Sequence, residues 1–244
     1  FKNCELQMKI ALIGYGKMGK LLEIKAKEKN HIISKVLKNH KWTSQDLKDS
    51  NMAIDFSSPD SVIDNIHKAF KANVPIVVGT TGWNKDFDKV KNWCIEYNGS
   101  ILFSSNFSLG VNIFFEINRQ LSKIMNQQKS YSVRINETHH LEKVDSPSGT
   151  AITTAEIILE EMDDYSNWLS NTSNYGNNLP IIAKRQKGVA GTHEVIYESN
   201  IDELSISHRA KNRNGFAIGA IIAAEFLINK KGLFSMKDVV KFSV

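Results

Sequence analysis

Lys9-Ile-Ala-Leu-Ile-Gly-Tyr-Gly-Lys-Met-Gly19 decides the fold. Lys9–Ile13 is mostly apolar and reads as a short buried strand. Gly14, Gly16 and Gly19 follow at the G-x-G-x-x-G spacing. Residues 17–29 then turn helical, with Met18, Leu21, Leu22 and Ala26 on one face. Glycines at this spacing are weak evidence alone; a strand before them and a helix after them give the motif its context. Gly14 permits the tight turn, Gly16 lets a pyrophosphate approach the backbone, and Gly19 lets helix and strand pack closely. A glycine-rich turn without a ligand is the plainer alternative.

Outward from this turn, strand and helix patterns alternate. Residues 32–37, 52–56, 74–78 and 101–104 read as strands, and residues 59–71 and 84–97 as helices. Such alternation predicts parallel strands joined by right-handed crossovers. Ligands of such sheets collect outside the carboxyl ends of the strands. The polar segments Asp55-Phe-Ser-Ser58, Gly79-Thr-Thr-Gly82 and Ser104-Ser-Asn-Phe107 all fall at those ends.

The second half has another rhythm. Residues 109–125 read as a long helix, 131–137 as a half-buried strand and 150–162 as a helix. Residues 163–180, rich in Asp, Asn and Ser, read as a loop or short irregular elements. Residues 193–199 and 201–208 look like antiparallel strands turning at Asn200. The expected fold is therefore α/β: a Rossmann-like parallel sheet domain plus an α+β domain with a mixed or antiparallel sheet. The apolar helix from Gly215 and the final segment are expected to return to the first domain. The boundaries are 8–108 with 214–244, and 109–213, with residues 1–7 a short extension.

One further run carries chemistry: Glu137-Thr-His-His-Leu-Glu-Lys-Val-Asp-Ser-Pro-Ser-Gly-Thr-Ala151. His139 and His140 can donate protons near neutral pH. Lys143 adds a fixed positive charge. Ser148, Gly149 and Thr150 open an apolar helical pattern and can turn backbone N–H groups toward an anion. Singly, each has a bland reading: a surface His, a solvated Lys, a helix cap. Together they suit a small anionic substrate that is protonated during reaction.

The turn at residues 14–19, Gly79-Thr-Thr-Gly82, Asn106-Phe-Ser108 and the Glu-x-His-His-x-x-Lys-x-Asp-x-Pro-Ser-Gly-Thr-Ala run together resemble the 4-hydroxy-tetrahydrodipicolinate reductases. This family, also called dihydrodipicolinate reductases, serves the diaminopimelate route to lysine. The resemblance runs from about Met8 to the end and includes His208-Arg-Ala-Lys-Asn-Arg213 and Gly232-Leu-Phe-Ser-Met-Lys-Asp238. The histidine motif is specific to the family; the glycine motif is not. The resemblance implies reduction of a cyclic imine dicarboxylate by NADH or NADPH. It implies a nucleotide on Gly14, Tyr15, Gly16, Lys17, Met18 and Gly19, with its nicotinamide end near Gly79, Thr80, Thr81, Ser104, Ser105, Asn106 and Phe107. It makes His139 the proton donor, assisted by Lys143. His140, Lys143, Ser148, Gly149, Thr150 and Arg213 become substrate-binding candidates; an ion pair is an equal reading of Arg213. The family is often a homotetramer built through the second domain's sheet, with residues 194–208 as interface strands.

The end of the second strand, Val36-Leu-Lys-Asn-His-Lys41, lacks the acid that grips the ribose of NAD. Lys38 or Lys41 can instead favour the 2′-phosphate of NADP; either is also an ordinary surface lysine.

Composition fits a soluble cytoplasmic enzyme. The chain has 244 residues, 41% hydrophobic and 23% charged, and no eighteen-residue apolar run. Its net charge of +5 is scattered and carries no nucleic-acid motif. Cys4 and Cys94 give no disulfide framework. Without a placed nucleophilic Cys, an aspartate-semialdehyde type of dehydrogenase is disfavoured. A sugar oxidoreductase has no need of the Pro-Ser-Gly-Thr turn. A non-catalytic dinucleotide sensor stays open. No metal is expected, because His139 and His140 diverge on an extended chain and no other Cys or His pair completes a set.

Overall fold

The computed structural model describes residues 7–39, 41–172 and 174–240. Cys4, residues 1–6 of the proposed extension, and residues 241–244 lie outside the described residues. In chain order, β1 (Lys9–Ile13), α1 (Lys17–Glu28), β2 (Ile32–Leu37), β3 (Met52–Asp55), α2 (Pro59–Lys71), β4 (Ile76–Val78), α3 (Phe87–Glu96) and β5 (Ser100–Phe103) come first. Then follow α4 (Leu109–Met125), β6 (Ser132–His139), α5 (Gly149–Glu161), β7 (Asn167–Ser170), β8 (Asn178–Arg185), β9 (Gly191–Glu198) and β10 (Glu203–Ala210). The described chain closes with α6 (Asn214–Leu227), β11 (Gly232–Phe234) and α7 (Met236–Val239). It forms two compact units, the first from the segments up to Leu109 and from Asn214 onward, the second Gly110–Arg213.

The first unit is a six-stranded parallel sheet in the order β11-β5-β4-β3-β1-β2. The winding reverses at β1, with β2 on one side and β3 on the other, so the switch point lies beside the glycine turn. Both faces are covered. Ile10, Leu12, Ile54, Val77 and Leu102 pack with Leu22 and Ala26 of α1 and with α6. Ala11, Ile13, Ala53, Val78 and Ile101 pack with Val62, Ile66 and Phe70 of α2 and with Val90 and Cys94 of α3. Strands buried on both faces read as continuous apolar runs, which is why they were legible. Each of the first three helices ends the same way. Asn30, Asn73 and Asn98 take positive φ, and the next amide closes back onto Ala26, Ala69 and Cys94. Asn tolerates this left-handed cap better than most side chains, and each cap throws the chain toward a strand.

The second unit is a five-stranded mixed sheet, β10-β9-β6-β8-β7. β9 pairs antiparallel with β10 and β6; β8 pairs parallel with β6 and β7. Its apolar face joins Val133, Ile135, Leu179, Ile181, Val195 and Tyr197 to Phe114, Ala151, Ala155 and Ile158 of α4 and α5. Strands β7 and β8 were not expected: residues 163–180 read as a loop or short irregular elements, and no element was assigned to residues 181–192. Pro180 and the surrounding Asn residues mask the strand pattern. The proline is tolerated because β8 has only β7 beside it there; pairing with β6 begins at Ile181. Among the described residues, no helix is long and apolar enough to cross a membrane.

Candidate active site

The three glycines of the first turn have different reasons to be glycine. Gly14 has φ +85°, and a Cβ there would meet the Phe56 carbonyl oxygen at 2.3 Å. A Cβ at Gly19 would meet the Gly14 carbonyl oxygen at 2.4 Å. At Gly16 a Cβ would meet nothing within 4 Å. Packing thus explains the first and third glycines. The second is exposed at the N-cap of α1, and its missing side chain leaves the helix N-terminus open to an approaching group. That is the fit a dinucleotide pyrophosphate requires.

The neighbouring loops are braced to this turn. Phe56, after β3, packs against Phe107 with ring centroids 5.8 Å apart, and a Cβ at Gly79 would lie 2.2 Å from the Phe56 ring. Asp55 is fully buried. It accepts hydrogen bonds from Thr80 Oγ1 (2.6 Å), Ser57 Oγ (2.8 Å) and Asn65 Nδ2 (2.8 Å). Burial pushes its carboxyl above the usual range despite these donors. Ser104 Oγ donates to the Asn106 carbonyl at 2.8 Å, and Asn106 Oδ1 accepts from Ser108 N at 2.9 Å. Thr80, Asn106 and Phe107 are buried, Tyr15 and Met18 are half-buried, and Lys17, Thr81 and Ser105 are exposed. Lys38 stands with Nζ 5.0 Å from the centre of the Tyr15 ring.

In the second unit, β6 alternates strictly: Val133, Ile135, Glu137 and His139 all face inward. The last two therefore carry charge onto a buried face. His139 Nδ1 lies 3.2 Å from Glu137 Oε2. Cross-strand register brings His193 of β9 opposite Glu137 and Arg185 of β8 opposite His139. His193 Nε2 is 3.7 Å from Glu137 Oε2 and 3.1 Å from Ser148 Oγ. Ser148 N donates to Glu137 Oε1 at 3.1 Å, and Arg185 Nη1 lies 3.3 Å from the same oxygen. Burial would raise the Glu137 carboxyl, but His139 and Ser148 overcome it and hold it at about 2. Burial, then the charge of His139, push His193 down to about 3. A carboxylate is thus locked between two imidazoles, one of them neutral.

His140 turns away from this cluster, pairing through Nδ1 with Glu142 Oε2 at 3.0 Å. Lys143 Nζ donates to both Asp145 oxygens at 2.8 Å. Gly149 is exposed at the first turn of α5, and a Cβ there would meet nothing within 4 Å; Thr150 follows it, half-buried. Ser148 differs from expectation. Its hydroxyl caps α5 by accepting from Ala151 N, and its own N–H already serves Glu137, so it supports the cluster rather than facing a ligand. Arg213 is exposed at the end of the second unit.

The expectation that no other Cys or His pair completes a donor set meets a different grouping here, one acid and two histidines. Glu137, His139 and His193 bring one ligand atom each within 4.8 Å of one another, a spacing that can hold a metal ion. Sequence distance hides this triad, because His193 arrives on another strand. Glu137, Arg185, His193 and Asp55 were the residues not given roles from sequence. For Glu137 the signal was present: an acid at an inward position of an alternating strand.

A parallel-sheet unit opened by a glycine turn, and a mixed-sheet unit carrying a buried carboxylate–histidine cluster, define a two-unit dinucleotide-dependent oxidoreductase. The chain belongs to the dihydrodipicolinate reductase family, whose N-terminal model matches residues 8–107 and whose C-terminal model matches residues 110–240. It is 47% identical over 236 residues to a 4-hydroxy-tetrahydrodipicolinate reductase of Christiangramia forsetii, covering 95% of this chain and 97% of the relative. It is 37% identical over 198 residues to one from Methanopyrus kandleri, covering 79% and 72%. A dipicolinate-bound dihydrodipicolinate reductase from Paenisporosarcina sp. TG-14 has the same fold: TM-score 0.78, 18% identity, 97% of this chain and 100% of that one covered.

Proposed function

We propose that this chain is a 4-hydroxy-tetrahydrodipicolinate reductase, reducing the cyclic dicarboxylate to tetrahydrodipicolinate in the diaminopimelate route of lysine biosynthesis. The observation that carries the reading is His139, buried at the end of β6 against an ionised Glu137, with Lys143 and the N-terminus of α5 following it in the chain. NADH or NADPH, when bound, supplies the hydride. Gly16 and the first turn of α1 would hold its pyrophosphate, Lys38 would serve its ribose end, and the segments at Gly79–Thr81 and Ser104–Phe107 would hold its other end.

His139 gives its proton to the ring atom left electron-rich when hydride is added. Lys143 exchanges Asp145 for a substrate carboxylate, and the first turn of α5, at Gly149 and Thr150, receives that carboxylate through backbone N–H groups. His140 and Arg213 complete the binding set. The chain assembles as a homotetramer through the sheet of the second unit, where β10 is an edge strand with Leu204 exposed. It works in the cytoplasm on a small molecule, without nucleic acid or membrane.

The test is oxidation of NADH and of NADPH, followed by nicotinamide absorbance, with the substrate generated in place from pyruvate and aspartate semialdehyde by the preceding enzyme. Substrate-dependent oxidation is expected, and its rates give the coenzyme preference. His139→Gln should lower turnover about 10²–10⁴-fold with nucleotide affinity unchanged. Tight nucleotide binding with no oxidation by the wild type would instead favour a dinucleotide sensor.

A further inference from the structure

We infer that Glu137 is the positioning residue of the proton donor: its carboxylate binds the Nδ1 proton of His139, so that Nε2 is the nitrogen that gives a proton to substrate. The inference rests on the reading of His139 as that donor and assigns the atoms on both sides of its ring.

Three observations carry it. Glu137 Oε2 lies 3.2 Å from His139 Nδ1, an ion-pair contact between two buried atoms; among the described residues neither atom is satisfied by a hydrogen bond, and the next imidazole nitrogen, His193 Nε2, is farther from Oε2 at 3.7 Å. The other oxygen, Oε1, is occupied by Ser148 N and Arg185 Nη1, so the carboxylate cannot rotate without losing both. On the far side of the ring, Gly191 adjoins His139 Nε2; a Cβ there would stand 3.0 Å from it. A side chain at position 191 would therefore crowd Nε2, and glycine avoids that.

The groups facing His139 from the packed elements give this arrangement its electrostatics. Glu137 brings the negative charge from β6 itself. His193 of β9 stands edge-on at 5.0 Å between ring centres. It is held neutral by burial and by the charge of His139. Arg185 of β8 engages the Glu137 carboxylate and, through Nη2, the Asp145 carbonyl at 2.6 Å. His208 of β10 stands opposite His193, its titration lowered by burial. Lys143 is paired with Asp145. The carboxylate favours a proton on the adjacent ring. Because Glu137 is itself held at about 2, it keeps its charge and takes no proton when His139 gives one from Nε2. The ring left behind is neutral with its proton on Nδ1, and solvent restores the other.

Glu137→Gln keeps the shape and the acceptor for Ser148 but turns an N–H toward Nδ1, which favours the opposite tautomer. The expected kcat falls about 10- to 100-fold, part of the 10²–10⁴ that proton donation is worth. KM for both substrates stays within about twofold, and the alkaline limb of the kcat profile moves to lower pH. Glu137→Asp restores the position of that limb and part of kcat. A Gln variant with wild-type kcat and pH profile, or an Asp variant no better than Gln, overturns the inference. Histidine-ring ¹H–¹⁵N spectra of the wild type test it without catalysis: a protected proton on His139 Nδ1 that disappears in Glu137→Gln is expected. An unprotonated Nδ1 overturns the assignment whatever the activity. A wild type that shows the Nδ1 proton yet reduces no substrate would defeat the proposed function and leave the arrangement standing.

Discussion

Single residues divide into those the fold needs and those only a ligand explains. Gly14 and Gly19 are fixed by contacts with backbone oxygens at 2.3 and 2.4 Å, whereas a side chain at Gly16 would meet nothing. Gly16→Val should therefore abolish nucleotide binding while leaving the urea midpoint nearly unchanged. Gly19→Val should lower the midpoint itself, because a backbone oxygen cannot move aside. Equal nucleotide affinity in Gly16→Val and wild type would remove the glycine turn as the cradle. Lys143 allows a second argument at this scale. It is partly exposed and bonded to Asp145, which a substrate carboxylate must displace. Exposed pairs are worth 0.2–1 kcal/mol. Asp145→Asn should accordingly lower KM for the dicarboxylate by about 1.5- to 5-fold with kcat little changed. A raised KM would mean that Asp145 orients Lys143 instead of competing for it.

At the scale of elements, α6 makes the sharpest demand. Gly219 of this helix lies so close to the loop after β5 that a Cβ would stand 1.7 Å from the Phe107 carbonyl oxygen. Gly219→Ala should destabilise the first unit by about 3 kcal/mol or more despite the better helix propensity of alanine, read as a drop in urea midpoint. A stabilised variant would show that helix propensity outweighs the contact. The sequence made α6 visible as an apolar helix, yet gave no sign that its glycine faces a backbone. The same boundary runs through the rest of the molecule. β1, β2, α2 and α4 were readable to the residue, since buried parallel strands and capped amphipathic helices carry their signal locally. β7 and β8 were not, because Pro180 and polar flanks hide a strand that exists through its partners. Likewise His139 and Lys143 could be named from one continuous motif. His193 and Arg185 could not, because only the register of β9 and β8 against β6 brings them to Glu137.

Across the whole molecule, the buried ionisable groups set how it responds to acid. Glu137 has its folded pKa depressed from 4.5 to about 2, so its contribution is present above 4.5 and is lost as pH falls toward 2. His193 is depressed from 6.5 to about 3, so protons bind the unfolded chain first, and stability is lost progressively as pH drops below 6.5. Both signs agree, and both groups sit in the second unit. They share one cluster, so their effects are coupled and sum to a few kcal/mol rather than adding fully. The first unit holds the opposite case. Asp55 is raised above 3.8 by burial, so its ionisation costs stability as pH rises, and acid relieves that cost. Acid should therefore open the second unit first. In hydrogen exchange followed by mass spectrometry between pH 6.5 and 4, protection corrected for intrinsic rates should fall in β6 and β9 while β1 and β3 keep theirs. His193→Gln should flatten that pH dependence. Simultaneous loss in both sheets would mean that the two units unfold as one and that the cluster does not govern the acid response.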